Sequence, residues 1–389
     1  MNLISIPKKG NSTNILIMAR VGARFENLSY KGISHFVEHM CFKGTKKRTS
    51  KQIALDIEKY GGILNAFTDW EITSYWAEIV NKYKNQAMSV LKDITKNAIF
   101  SNKEIKKEKE VILQELKSYE DNPTCFVYEY LNKKLFSKQS GFHIPIIGTQ
   151  KSLNNISRRE LLTHYKKQYD DLTVIQVGDV STEENYDYEV VPDYLFEVNS
   201  ENLNKKFFKT RKDITQSNVI ISNYINNNIP KLDNLIAIQI LKSLYNDMSG
   251  RLFTTIREKY NLVYGIHFNF EMYSCGGTQW FVSLGLNANN INKAHRLIIE
   301  ELSRPISKKE LDYAITKLVG ERALVLDEPK HLANIAAYSV IRGIDYKQLI
   351  YHYEKHYKRI AKSINDFQKI FNFKRNILVG IIPEKEKEI

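Results

Sequence analysis

The chain has 389 residues, 43% of them hydrophobic, which is enough for about two domains with cores of their own. Its three cysteines, Cys41, Cys125 and Cys275, are odd in number and scattered, which excludes a disulfide framework and a cysteine-based zinc site and fits a reducing compartment. The net charge of +13 invites a nucleic-acid reading, yet the lysines are spread over helices and loops, as at Lys31, Lys43, Lys46, Lys47 and Lys51, without a binding module or an aromatic stacking motif. No specific nucleic-acid partner is therefore expected.

Residues 1–10 lack the basic head and long apolar run of a cleavable signal, and no later stretch approaches the roughly 18 apolar residues of a membrane span. A cytoplasmic protein with no membrane partner is the expectation. Asn14 to Val21 reads as a strand ending at Gly22. Next comes Gly32 to Thr45, which contains His35-Phe36-Val37-Glu38-His39. On a helix, at about 100° per residue, His35 and His39 lie one turn apart with Glu38 beside them on the same side. Two neutral imidazoles so placed can reach one zinc ion, and a carboxylate next to them can take a proton from water. The order His-x-x-Glu-His is the inverzincin signature. The same residues could also form a buried helix with satisfied histidines. A third protein ligand separates the two readings, because a catalytic zinc keeps three and leaves one position open.

A helix from Ser50 to Tyr60 ends at Gly61-Gly62, and Ile63 to Phe67 and Thr73 to Val80 read as two strands rich in β-branched and aromatic residues. A helix from Asn81 to Ile99 follows. Ser101 to Glu104 reads as a capping box, opening a helix from Ile105 to Tyr119 that Asp121-Asn122-Pro123 breaks. Ile105, Ile112 and Tyr119, with Val111 and Leu116 beside them, define a stripe expected to face the core. Glu108 and Glu115 fall on the same stripe. A carboxylate among apolar neighbours is costly unless paired, hydrogen-bonded or bound to a metal; the alternative is a solvated edge of a highly charged helix.

Further helices are expected at Phe126 to Phe136 and Ser152 to Tyr169, and a strand at Leu172 to Val177. The expected division is a first domain over 1–185, an acidic, irregular linker over 186–205, and a second domain over 206–389. The second half repeats the plan: Ser217 to Ser222 is a strand, and Asn234 to Asn246 a helix placed like the histidine helix. That helix carries Ala237, Ile240, Leu241 and Leu244 on its apolar face and no metal-binding residue. His352 and His356 also stand one turn apart on an expected helix from Tyr346 to Ile360. The acid between them, Glu354, points away from the pair, so this reads as a surface or interdomain helix.

The pattern His35-x-x-Glu38-His39, followed on a later helix by Glu110-Val111-Ile112-Leu113-Gln114-Glu115-Leu116, resembles the pitrilysin and insulin-degrading-enzyme family of zinc peptidases, in the branch of the mitochondrial processing peptidase. Val21-Gly22, Glu26, Gly61-Gly62, Asn65-Ala66-Phe67-Thr68, His143, Gly148-Thr149 and Gly178-Asp179 agree with it. The resemblance implies His35, His39 and Glu115 as ligands to one zinc ion per chain, Glu38 as general base, and Glu108 as a second carboxylate supporting the site. It implies that the strand carrying Asn65, Ala66 and Phe67 is an open sheet edge to which a peptide substrate adds as a further strand. Met248 to Phe253, Ile256 to Lys259 and Leu262 to Tyr264 also match, and there the resemblance implies that Arg257 and Tyr264 contact the substrate backbone and the developing oxyanion. The fold implied is α+β: two similar domains, each a mainly antiparallel sheet flanked by helices, closing like a clamshell on a chamber. The function implied is a zinc metalloendopeptidase working as a homodimer or with a related chain. A noncatalytic, substrate-holding subunit of the same fold is the alternative, although such subunits lose the zinc motif that this chain keeps.

Overall fold

Short, nearly continuous buried runs rich in apolar and β-branched residues lay down the first sheet. In the computed structural model, which describes residues 1–186, 198–226 and 229–384, the chain opens with strands β1 (Asn2–Pro7) and β2 (Ser12–Ala19) and helices α1 (Ile33–Cys41) and α2 (Ser50–Glu58). The hairpin β3 (Ile63–Thr68) and β4 (Thr73–Val80) follows, then α3 (Lys84–Lys96), α4 (Asn102–Asp121), α5 (Pro123–Leu135), α6 (Gln150–Asn155), α7 (Arg158–Gln168), β5 (Leu172–Gly178) and β6 (Glu183–Asn185). These strands form one sheet in the order β3-β4-β2-β5-β1-β6, with β1 and β5 parallel and the other neighbours antiparallel. Along β2, Ile15, Ile17 and Ala19 turn one face to a core shared with Phe36, Val37 and Met40 of α1 and Val90, Leu91 and Ile94 of α3.

The second half runs β7 (Lys206–Arg211), β8 (Ser217–Ile225), α8 (Lys231–Tyr245), a π-helical stretch at Phe253–Lys259, β9 (Val263–Met272), β10 (Thr278–Leu286), α9 (Ile291–Ser303), α10 (Lys308–Val325), α11 (Pro329–Ile341), α12 (Tyr346–Ile350), α13 (Tyr353–Ala361), α14 (Ile364–Ile370) and β11 (Ile377–Pro383). Its sheet, β7-β11-β8-β10-β9, repeats β1-β5-β2-β4-β3 pair for pair in order and sense, including the parallel outer pair. The structure thus has the expected α+β architecture of two similar, mainly antiparallel sheets with helices. In the second half the parallel pair joins the first strand, β7, to the last, β11; in the first half it joins β1 to β5, and the short β6 adds outside β1.

Two compact units result: Met1–Ser118 with Ile144–Val190 and Leu324–Tyr346, and Tyr119–His143 with Val191–Ala323 and Lys347–Ile389. Division at a linker over 186–205 omits an exchange. Helix α11, from the second half, packs across β2 and β5 of the first sheet, while α5, from the first half, packs across β8 and β11 of the second. Residues 187–197, within the expected linker, lie outside the described residues. Among the described residues no helix is long and apolar enough to cross a membrane.

Three local expectations need correction. Residues 152–169 form two helices, because Ser157 and Glu160 build a capping box that starts α7 afresh. The expected helix from Tyr346 to Ile360 is broken: Ile350 ends α12, and His352 is the non-helical cap of α13, with φ −122° and ψ 11°. His352 and His356 therefore do not share a helical face, and His356 Nε2 instead meets Gln348 Oε1 at 2.9 Å. On α4 the buried stripe is Ile105, Glu108, Ile112 and Leu116, whereas Val111 and Tyr119 are 45% and 42% exposed. Val111 lies roughly 100° round the helix from Ile112 and about 140° from Leu116, and Tyr119 sits near the end of the helix. Residues 2–7 form strand β1, which pairs with β5 from Asn2 opposite Thr173 to Pro7 opposite Gly178.

Candidate metal centre

Helix α1 is fixed at its N-terminus before any ligand is considered. Gly32 has φ 91° and Gly148 has φ 88°, and their backbones meet: a Cβ on Gly32 would lie 2.4 Å from the Ile147 oxygen, and one on Gly148 2.3 Å from the Lys31 oxygen. Glu26 then serves as a remote cap, accepting the backbone N–H of Gly32 at 2.8 Å and of Ser34 at 2.7 Å, one with each oxygen. Lys31 is fully buried nearby and donates to the Ala23 carbonyl. On the other side Ser34 Oγ lies 3.2 Å from His164 Nε2.

Burial pushes the Glu26 carboxyl up to about 7 from 4.5, against the opposing pull of Lys31 and the two amides. A carboxyl raised on folding binds more protons in the folded state, so its contribution is complete below about 4.5 and is lost as pH rises through about 7. The wild-type chain is accordingly expected to lose melting temperature relative to a Glu26→Gln variant across that window. A difference independent of pH, measured in parallel melts, contradicts this assignment.

From that anchored start α1 delivers His35 and His39 with ring centroids 4.6 Å apart. Glu115, two turns beyond Glu108 on α4, brings its Oε2 to 3.8 Å from His35 Nε2 and 3.6 Å from His39 Nε2. One ligand atom from each of the three lies within 4.8 Å of the others. Glu108, 5% exposed, stands behind: its Oε2 is 3.1 Å from His39 Nδ1, while Lys43 Nζ is 2.7 Å from its Oε1. With Nδ1–H of a neutral His39 donating to the Glu108 carboxylate, Nε2 is the lone pair that faces Glu115. Burial, with His39 alongside, lowers His35 to about 3, so this imidazole is neutral, the form a metal requires. Burial raises Glu115, with His39 opposing.

The donor set fits a cation. Two ring nitrogens and a carboxylate oxygen converge at separations too long for hydrogen bonds between them, and nothing else satisfies the inward-facing atoms among the described residues. Two imidazoles and one carboxylate are a catalytic zinc set, leaving a fourth position free.

Glu38, on the same face of α1, accepts the Thr68 hydroxyl at 2.5 Å on Oε2. Burial raises its pKa, with the Thr68 bond and His39 pulling down and Glu115 pushing up. Thr68 ends β3, the edge strand of the first sheet, which holds Asn65, Ala66 and Phe67 opposite Trp76, Tyr75 and Ser74 of β4. The Asn65 side chain accepts the amide N–H of Ala66 at 2.8 Å. The expected set His35, Glu38, His39, Glu108 and Glu115 is thus brought together, and β3 ends beside it. Sequence reasoning passed over the Thr68 to Glu38 bond, the capping by Glu26 and the Lys43 contact. Each joins residues from separate elements and leaves no periodic signal.

Arg257 and Tyr264 lie in the second unit and touch. The guanidinium sits 4.6 Å from the Phe253 ring centre and 5.0 Å from that of Tyr264, with Nε 3.7 Å from Glu258 Oε1. Tyr264 is the second residue of the edge strand β9 and is 83% exposed.

The chain matches the family model Insulinase (Peptidase family M16) over residues 3–149 and the model Peptidase M16 inactive domain over residues 155–318. It is 32% identical over 327 residues to an uncharacterized zinc protease of Rickettsia bellii, covering 79% of this chain and 77% of that protein. Over 149 residues, 37% of this chain and 30% of that one, it is 38% identical to the human mitochondrial-processing peptidase subunit beta. A protease structure from Helicobacter pylori shares the fold, with a TM-score of 0.87 at 17% identity over 98% of this chain and 96% of the other. With its paired sheets, its histidine helix and relatives named as zinc proteases, the chain belongs to the insulinase family, peptidase family M16.

Proposed function

We propose that the protein is a zinc-dependent endopeptidase that hydrolyses peptides or unfolded segments, with His35, His39 and Glu115 as the ligands of one zinc ion per chain. The observation that carries this reading is the convergence of those three side chains, with Glu38 beside them. Zinc held there supplies positive charge that acidifies water and polarises a carbonyl. Glu38 takes the proton of the attacking water on Oε1, the oxygen that Thr68 leaves free, and returns it to the leaving amine. Its raised pKa suits both transfers. A peptide adds to the outer edge of β3, exchanging its own carbonyl for the Asn65 side chain at the Ala66 amide, so that grip comes from main chain and side chains are read loosely. Arg257 and Tyr264 hold substrate backbone and steady the oxyanion. The likeness to a subunit of a processing peptidase supports work as a dimer, with a second copy or a related chain.

An unbiased peptide mixture, analysed by mass spectrometry, tests the function. Cleavage should stop on chelation and return on adding zinc. Cleavage that survives complete removal of metal contradicts the proposal.

A further inference from the structure

The Glu108 carboxylate is buried on the far side of His39 from Glu115, and its two oxygens have different partners. Oε2 takes His39 Nδ1 at 3.1 Å, and Oε1 takes Lys43 Nζ at 2.7 Å. Lys43 follows the end of α1, where its backbone N–H still bonds the Met40 carbonyl at 3.1 Å. Its side chain therefore leaves the chain just past the end of the helix that carries His39, four residues on, and reaches across to α4. A carboxylate that is 5% exposed with an imidazole as its sole partner would carry an uncompensated charge and could rotate about its last bond. The ammonium removes both problems, since a charge-assisted bond to Oε1 fixes the carboxylate plane and so decides which oxygen meets Nδ1.

We propose that Lys43 is a positioning residue for the metal centre: by holding Oε1 of Glu108 it aims Oε2 at His39 Nδ1 and thereby aims His39 Nε2 at the ion. This rests on the zinc reading above. Among the described residues the Lys43 ammonium pairs with Glu108 and makes no hydrogen bond or ion pair with His35, His39, Glu115 or β3, so its effect should pass through Glu108.

The test is zinc affinity of the full chain by competition with a chromophoric chelator, alongside thermal melts of the metal-free protein. Outer partners of a zinc ligand are typically worth about 10–100-fold in affinity, and Lys43→Met should lose an amount in that range. Lys43→Arg, which keeps the charge, should recover most of it. In Lys43→Met/Glu108→Gln the carboxamide oxygen can still accept from Nδ1 with no charge left to offset, so the two losses should not multiply. If Lys43→Met does not fold, Lys43→Gln takes its place. A neutral variant that binds zinc as tightly as wild type, with only its melting temperature lowered, overturns the proposal, as does a double variant whose losses multiply. Wild-type protein that binds no zinc, or keeps its affinity when His39 is replaced, instead refutes the metal reading beneath it.

Discussion

Replacing Glu38 with Gln should leave one zinc ion per chain and reduce peptide cleavage by about 10²–10⁴-fold, the usual worth of a positioned general base. The carboxamide keeps the size of the side chain and can still accept the Thr68 hydroxyl, so the neighbourhood of α1 and β3 is undisturbed. What it lacks is a basic oxygen. Burial makes the same point from the other side: it raises the Glu38 pKa, and under the proposed mechanism a carboxyl so raised would hold the proton before passing it to the leaving amine. Activity and metal content measured on one preparation check this. Undiminished cleavage removes Glu38 from the mechanism, whereas loss of zinc together with activity makes it a ligand or a structural residue.

Replacing a ligand should act in the opposite order, on metal first and on activity as a result. A structural zinc site with four protein ligands is worth about 10–16 kcal/mol, roughly 2.5–4 kcal/mol per ligand, and on that scale His39→Ala or Glu115→Gln should weaken zinc binding by about 10²–10³-fold. The folded state should survive, because His35, His39 and Glu115 are only partly buried and the core of the first unit is built from other residues of the same helices, among them Phe36, Val37, Met40 and Ile112. Equilibrium dialysis against buffered zinc checks the affinities. Wild-type affinity in a Glu115→Gln chain contradicts its role as a ligand.

The centre was legible where it was local. His35, Glu38 and His39 are within one turn, and the helical period alone puts them on a face. Glu108 and Glu115 were legible as costly acids near an apolar stripe, although Val111 and Tyr119 were placed on that stripe and the structure exposes them. What joins distant parts of the chain was not legible. The exchange of α5 and α11 between the sheets depends on which apolar faces find each other after collapse, and neither helix advertises its partner. The parallel pairing of β1 with β5 is likewise a closure over most of the first half. At His352 a helical pattern of residues continues through a break between α12 and α13, across which His356 meets Gln348.

The most direct measurement is X-ray absorption at the zinc edge of the loaded protein. Two imidazole nitrogens at about 2.0–2.1 Å and a carboxylate oxygen at about 2.0–2.2 Å are predicted, with one imidazole lost in His39→Ala. Sulfur scattering at about 2.3 Å, or a shell of oxygens alone, would place the ion elsewhere and contradict the account.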